Sequence, residues 1–500
     1  MAGAYYETTP RKEGGGLLVE RPNPWHRGAP PSHRLKHDSR SIVSALVLGG
    51  DKYGIADEVD ELLSIWADHL GKNQLRRRYY DGENVLKDLG ISIPPSLRSI
   101  ETVVGWPKKA VSAMASRSRF DGFTVGDERL ADEVDQLVRR CNLKRKYKQA
   151  CESELIAGCD FVTLSKGDAG EPPVVIVTHS AEDGAAKWSE RLGRISSGLV
   201  IMHYDDSGAP DEMALYTDEA TYHVDGRDAL TVERMAHRMG RPLMEALAYN
   251  PTESQPLGQS RITRAVRFIT DSGVREALRT EISAEFFTSP QKYLLGVDTD
   301  PFQTKTRWEA YIGNIFTIGQ TEDGATPTFG QLSQGSMQPH TDYMRALATR
   351  FSGETNVPVS QLGVIHDNPS SAEAITQANE PLIMEVTDLN EGNGEALVTI
   401  AKMALAIAND ATPDAYDGLQ IAANFKNPLM PSIASQADAM VKIASVVPEF
   451  AATEVFWEQL GFGEDMRQKV VQQMSANQNR AALMSIMGGE AQPAQRVGLT

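Results

Sequence analysis

The stretch GQSRITRAVRF at 258–268 opens like G-x-S-x-G, the pattern that presents a nucleophilic serine on a strand-to-helix turn. It fails on both flanks. Its fifth residue is Ile262 in place of glycine, and NPTESQPL before it reads as a loop where the turn needs a strand. Ser260 reads better as a helix N-cap, its hydroxyl satisfying free amides of the helix that follows.

Other chemistries fail in similar ways. A phosphate cradle needs G-x-x-x-x-G-K-[S/T]; the only Gly-Lys pair, Gly71-Lys72, has Trp66 where the first glycine belongs and Asn73 where Ser or Thr belongs. The ten histidines form no H-E-x-x-H pair, and Asp298 with Asp300 in VDTDPF lacks the third ligand and the glycine of a calcium loop. Cys141, Cys151 and Cys159 are spaced by ten and eight, which fits no zinc pattern, and an odd number fits no disulfide framework, so they read as reduced thiols. Cys151 shares a helical face with Tyr147 and Leu155, the place of a small buried hydrophobe. Asp57, Glu58, Asp60 and Glu61 lie on the polar face of an amphipathic helix and read as solvated charges. The expectation is therefore no catalytic residue, no metal and no cofactor.

Charge narrows the partners. Fifty basic side chains against 67 acidic ones give a net charge of −17, the wrong sign for a protein that grips phosphates by counterion release. The longest apolar stretches, such as SIVSALVLGG, are far too short to span a bilayer, and MAGAYYETTPRKEGGG has no signal-peptide core, so neither membrane insertion nor secretion is expected.

The elements that would position these residues are mostly helical, with a sheet region. Residues 1–40 carry turn formers and little periodicity and read as a flexible or partner-dependent arm. ADEVDELLSIWADHLG places Val59, Leu62, Leu63, Trp66 and Leu70 on one stripe, with Gly71 as the expected helix end. A second helical pattern covers roughly 127–157; its run LKRKYK reads as a solvated face. Short Val-, Ile-, Thr- and Tyr-rich segments at about 159–240 predict antiparallel strands in an α+β region. From 258 to about Ser289 runs the longest helical pattern, with Ile262, Val266, Ile269 and Gly273 on its apolar side. Arg261, Arg264, Arg275 and Arg279 fall within a separate arc of about 60°.

A segment at 290–335 follows, then a helix from Pro339 to Phe351 with Met344, Ala348 and Phe351 on one face. GETNVPVSQLGVIHDNPSSAEAI reads as a long loop that ends in a capping box, Ser370 with Glu373. An Ala- and Leu-rich helix then runs to about 409, and three shorter helical patterns follow at about 433–446, 451–460 and 464–476.

This order of segments resembles the portal proteins of tailed bacteriophages, especially those of long-tailed, non-contractile phages of actinobacteria. The resemblance rests on the stretch LRRRYYDGENVLKDLGISIPPSLRSIETVVGWPKKAVSAMASRSRFDGF at 75–123, on GQSRITRAVRFITDSG at 258–273, on FFTSPQKYLLG at 286–296 and on NPSSAEAI at 368–375. The helices across 434–462 are similar to that family's C-terminal ones.

The resemblance implies an α+β, predominantly helical portal fold with wing, stem, clip and crown. Behind an N-terminal arm at 1–40, the wing would be 41–257, the stem helices 258–289 and 336–352, and the clip 290–335 between them. A tunnel loop at 353–369 would lead into a long helix returning to the wing at 370–425, with crown helices at 426–476 and a disordered tail at 477–500.

It further implies a homo-oligomeric ring of twelve subunits at one capsid vertex of the virion, assembled in the host cytoplasm. Double-stranded DNA would pass through it, held weakly and without sequence reading, since twelve-fold symmetry cannot match a duplex of about 10 to 10.5 base pairs per turn. Implied protein partners are the terminase large subunit, a head-tail adaptor, and major capsid and scaffolding proteins. His366, Asp367 and Asn368 would form the loop's channel tip, or a plain surface turn, and Ser370 with Glu373 would anchor the loop. The four arginines would pair with acids of a neighbouring stem, touch phosphate, or form a solvated face. Competing readings are a non-portal capsid-assembly protein and an assembly-associated hydrolase; a monomeric DNA-binding regulator should be basic.

Overall fold

A computed structural model describes residues 40–84, 102–288, 292–295, 328–331, 335–363, 372–429 and 433–453, with scattered positions as far as 473. Helices α1 (Arg40–Leu48), α2 (Ala56–Asp81) and α3 (Trp106–Ala115) come first, followed by strand β1 (Phe120–Val125) and helices α4 (Glu128–Arg140) and α5 (Leu143–Ala157). Eight strands follow: β2 (Cys159–Lys166), β3 (Val174–Ser180), β4 (Gly184–Ser189), β5 (Arg194–Tyr204), β6 (Pro210–Tyr216), β7 (Ala220–Asp225), β8 (Thr231–Ala236) and β9 (Met244–Ala248). Helix α6 (Arg264–Thr288), the strand pair β10 (Lys292–Leu295) and β11 (Thr328–Gln331), helices α7 (Gln338–Thr355) and α8 (Ala372–Ala408), strand β12 (Ile421–Phe425) and helix α9 (Ile433–Val446) complete the path.

The expected strand region is present, and every pairing in it is antiparallel: a five-stranded sheet in the order β4-β5-β6-β7-β8 and a three-stranded sheet β3-β2-β9. Val59, Leu62, Leu63, Trp66 and Leu70 of α2 are all buried and, with Ile42 and Leu46 of α1, cover Leu199, Met213, Leu215 and Val224 of the larger sheet. Trp66 donates to the carbonyl of Glu182 at 2.7 Å, which satisfies the one polar atom of an otherwise apolar side chain. A second, larger core gathers α3, α5, α8, the smaller sheet and the inner faces of α6 and α7.

Several boundaries differ from the sequence expectation. Helix α2 passes through Gly71 and closes at Gly82, whose φ of 77° is the left-handed cap conformation. The buried contacts of Asn73 and Tyr80 hold the extra turns, a tertiary gain that outweighs a glycine's helix penalty of about 1 kcal/mol. The single pattern at 127–157 is two helices, separated at Asn142 with φ 53°. The longest described helix is α8 with 37 residues, against 25 in α6. Helix α7 continues through Thr355, so the connection that follows begins at Asn356.

Strand β12 pairs with β1, joining segments some 300 residues apart. The chain divides after Lys426, and residues from Asn427 on form a second compact unit. In that unit α9 spans the expected 433–446, and Phe450, Phe456 and Trp457 make edge-to-face ring contacts.

Candidate functional site

The entry into α6 is where the expectation for the basic stripe changes. Gly258 sits at φ 82°, and a Cβ there would come within 2.3 Å of the Gly158 carbonyl oxygen, so glycine allows two backbone segments to touch. Ser260 then donates to the Ile156 carbonyl at 2.6 Å and accepts from the Ile262 amide at 3.0 Å, which makes it a turn residue. The cap is Thr263, whose hydroxyl accepts from the Val266 amide at 3.1 Å. The helix therefore begins at Arg264, and an angular wheel extended back to 261 places Arg261 wrongly.

Arg261 is a correction to the basic stripe: it is 4% exposed and belongs to the interior. Its guanidinium donates to the Ala110 carbonyl at 3.0 Å, the Tyr249 hydroxyl at 2.7 Å, the Glu385 carboxylate at 2.7 Å and the Thr355 carbonyl. Glu385 also accepts from Asn356 at 2.9 Å. One buried cation thus ties α3, the segment after β9, the end of α7 and the body of α8. Burial without such partners would be prohibitive.

The other three arginines stay at the surface of α6. Arg264 is exposed, Arg275 donates to Ser272 at 3.1 Å, and Arg279 lies 3.4 Å from Glu276. Arg267, outside the arc of the four, lies above the Tyr79 ring at 5.9 Å. The Tyr79 hydroxyl donates to Asp271, and burial first, then this bond, pushes it up to about 12.

Between α6 and α7 lies a group the sequence did not reveal. His340 places Nδ1 2.6 Å from Glu276 and Nε2 3.0 Å from the Ser283 hydroxyl, a serine–histidine–carboxylate line. Its members are 57 and 64 residues from the histidine in sequence, so no local spacing could have shown it. Ser283 sits inside α6, where backbone amides bond to carbonyls one turn earlier and cannot cradle an oxyanion. The arrangement joins α6 and α7 through polar contacts.

The root of the connection from α7 to α8 is fixed on one side. Val357 and Leu362 are buried, Trp106 donates to the Leu362 carbonyl at 3.4 Å, and Asn379 Oδ1 accepts from Gln361 at 3.0 Å and Arg117 at 3.1 Å. His366, Asp367, Asn368 and Ser370 lie outside the described residues; Glu373 falls in the first turn of α8, its side chain likewise outside them.

Behind α8 runs a buried polar string: Asn393 donates to Glu154 at 2.7 Å and Tyr147 at 3.2 Å, and Ser118 joins Tyr147 to Asn390 with two contacts of 2.6 Å. Burial raises the Glu154 carboxyl to about 8 and pushes Asp160 and Cys151 well above their usual values. All three cysteines are free and buried. Among the described residues no cluster of three or more His, Cys, Asp or Glu is placed to hold a metal, and no helix is long and apolar enough to cross a membrane.

These contacts hold long helices at fixed positions against two sheets. The chain belongs to the phage portal protein family of the SPP1 Gp6-like type, whose pattern matches residues 60–483. Its function is that family's, a portal component of the phage particle. Among curated relatives, the portal protein of Mycobacterium phage D29 is 25% identical over 430 residues, covering 82% of this chain and 87% of that one. The portal protein of Mycobacterium phage L5 is 25% identical over 401 residues, covering 77% and 81%. A chain from the virion of a native gene transfer agent particle resembles this one with a TM-score of 0.42 at 12% identity, over 78% of this chain and 94% of that one. A chain from the neck of the empty particle gives 0.41 at 13% identity, over 72% and 90%.

Proposed function

We propose that twelve copies close into a ring at one capsid vertex, through which double-stranded DNA is packaged and later leaves. The ring docks the terminase large subunit and a head-tail adaptor, and sits among major capsid and scaffolding proteins during assembly in the host cytoplasm. The observation that carries the portal reading is the family match over 60–483.

Within the ring, α6 and α7 serve as the stem, with 290–335 as the clip between them, 41–257 as the wing and 426–476 as the crown. The tunnel loop is the connection from Asn356 to Ala372, with His366, Asp367 and Asn368 towards the bore and Ser370 with Glu373 at its exit. The clamp of Arg261, Glu385 and Asn356 supports this reading because it joins the end of one stem helix to the helix that leaves the loop. An acidic chain also suits a conduit, since a basic bore would bind DNA and resist sliding.

Arg264, Arg275 and Arg279 remain for contacts between stems or to phosphate. Arg275→Glu with Arg279→Glu tests both roles: an intact ring that still packages DNA rules them out. Deleting 364–368 tests the loop, which leaves the mechanism if packaging and genome retention are unchanged.

An assembly-associated hydrolase is favoured by one observation, the Ser283–His340–Glu276 line. Incubation with a fluorophosphonate probe separates the readings: a tie leaves Ser283 unlabelled, whereas covalent capture lost in Ser283→Ala would establish a nucleophile.

A further inference from the structure

Glu154 of α5 and Asn393 of α8 are joined on one side and unexplained on the other. The Asn393 amide donates to Glu154 Oε1 at 2.7 Å. The second oxygens of the same two side chains, Glu154 Oε2 and Asn393 Oδ1, are buried, and among the described residues neither has a hydrogen-bond partner. Glu154 is 0% exposed and Asn393 1%, so bulk water does not serve them. Two orphaned acceptors on side chains that already touch are costly. An ionised carboxylate leaves both as acceptors, whereas a proton on Oε2 makes it a donor, and acid and amide can then close a pair of two bonds.

The surroundings favour that proton. Tyr147 and Cys151 face the carboxyl from α5, and Cys159 and Asp160 from β2. Ser118 and Asn390 complete the string as neutral dipoles. Arg76 and Arg77 of α2 act on Cys159 and Asp160, and no cation acts on Glu154. Burial is the largest influence and raises the carboxyl to about 8, against the bonds from Asn393 and Cys151 that pull it down.

The turn that carries Asn393 is intrinsically soft. It is Gly392-Asn393-Gly394 inside a helix of 37 residues, and helix interiors disfavour glycine. A Cβ at Gly392 would meet nothing within 4 Å, so no close approach requires glycine there. The turn lies between Glu385, which holds the Arg261 clamp, and the end of α8 that leads to β12.

We propose that Glu154 and Asn393 form a proton-dependent catch: the protonated carboxyl holds the Asn393 turn of α8 against α5, and release of that proton to solvent loosens the turn while the sheets stay folded. The catch is independent of the ring reading, since both partners belong to one chain. The folded carboxyl sits above its ordinary 4.5, so the catch is complete at low pH and is lost as pH rises through about 8.

Hydrogen–deuterium exchange on the full chain at pH 7 and pH 9 tests it, with rates corrected for intrinsic pH dependence. Peptides across 388–398 report the turn, and peptides across 59–70 of α2 serve as the reference. One proton held to about 8 makes the wild-type turn open about tenfold more at pH 9 than at pH 7, with α2 unchanged. Glu154→Gln sets an N–H where the proton stood. That variant should match wild-type protection of the turn at pH 7 and change by less than about twofold at pH 9. Loss of protection in Glu154→Gln at pH 7 would overturn the acid–amide pairing, because its Nε2 would then lack an acceptor. The wild-type chain decides the rest, whether or not the variant folds. Equal protection of the turn at the two pH values would overturn the catch, and a parallel loss in α2 would overturn its local release.

Discussion

Arg261 shows how far one residue's environment can depart from its sequence setting. In the string SRITRAVRF it belongs to a basic stripe, but Thr263 starts the helix two residues later, and Arg261 turns inward to four partners. Removing it leaves the Glu385 carboxylate without its ion pair, so Arg261→Gln should cost about 3 kcal/mol, read as a lower denaturation midpoint. Arg261→Lys should recover little, because a single ammonium cannot reproduce the planar fork.

Glu154 is the second instance. Its folded carboxyl titrates near 8 against an ordinary 4.5, so the folded chain holds a proton that the unfolded chain releases. Stability from this group is full below pH 4.5 and is lost as pH rises through 8, with a slope approaching about 1.4 kcal/mol per pH unit for one proton. Glu154→Gln should flatten that decline between pH 5 and 8.5 in urea midpoints; an unchanged slope would assign it elsewhere. Nothing in KQACESELIAG distinguishes Glu154 from a surface acid except its place beside Cys151 and Leu155 on the buried face.

At the scale of elements, periodicity found the faces and missed the ends. The stripe from Val59 to Leu70 was legible because burial every third or fourth residue is what a helix on a sheet must show. Its end was not, because Gly71 and Gly82 both carry a stop signal and only tertiary contacts choose between them. Gly82→Ala should cost about 1 kcal/mol or more: its φ is 77° and an added Cβ would meet Val103 at 2.9 Å.

Pairings between distant segments were invisible for a different reason. The β1–β12 ladder and the His340 tie join residues whose local patterns carry no mark of each other. The tie should matter to the α6–α7 pair. Ser283→Ala removes one hydrogen bond and should cost about 1 kcal/mol, while His340→Leu should cost more by leaving buried Glu276 poorly paired, both read by chemical denaturation.

At the scale of the whole molecule, the order of segments carried more than any motif. Strands at about 159–240, two long helices around an insert and a C-terminal helical unit were readable because each has its own period and its own punctuation, whereas β9 at Met244–Ala248 lies beyond the strand region the sequence marks. The candidate site was less legible. Of the four arginines assigned to one stripe, three remain on the surface, and the loop tip at 366–368 lies outside the described residues. Portal work is geometric, so its decisive features are positions around an axis that a single chain does not display. Closure into a collar is therefore the claim on which the rest depends. Native mass spectrometry of the purified full chain, with end-on electron microscopy of the same sample, tests it most directly. Twelve chains of 54.7 kDa give an annulus of about 656 kDa with an open centre. A single 54.7 kDa particle with no central opening would contradict the account.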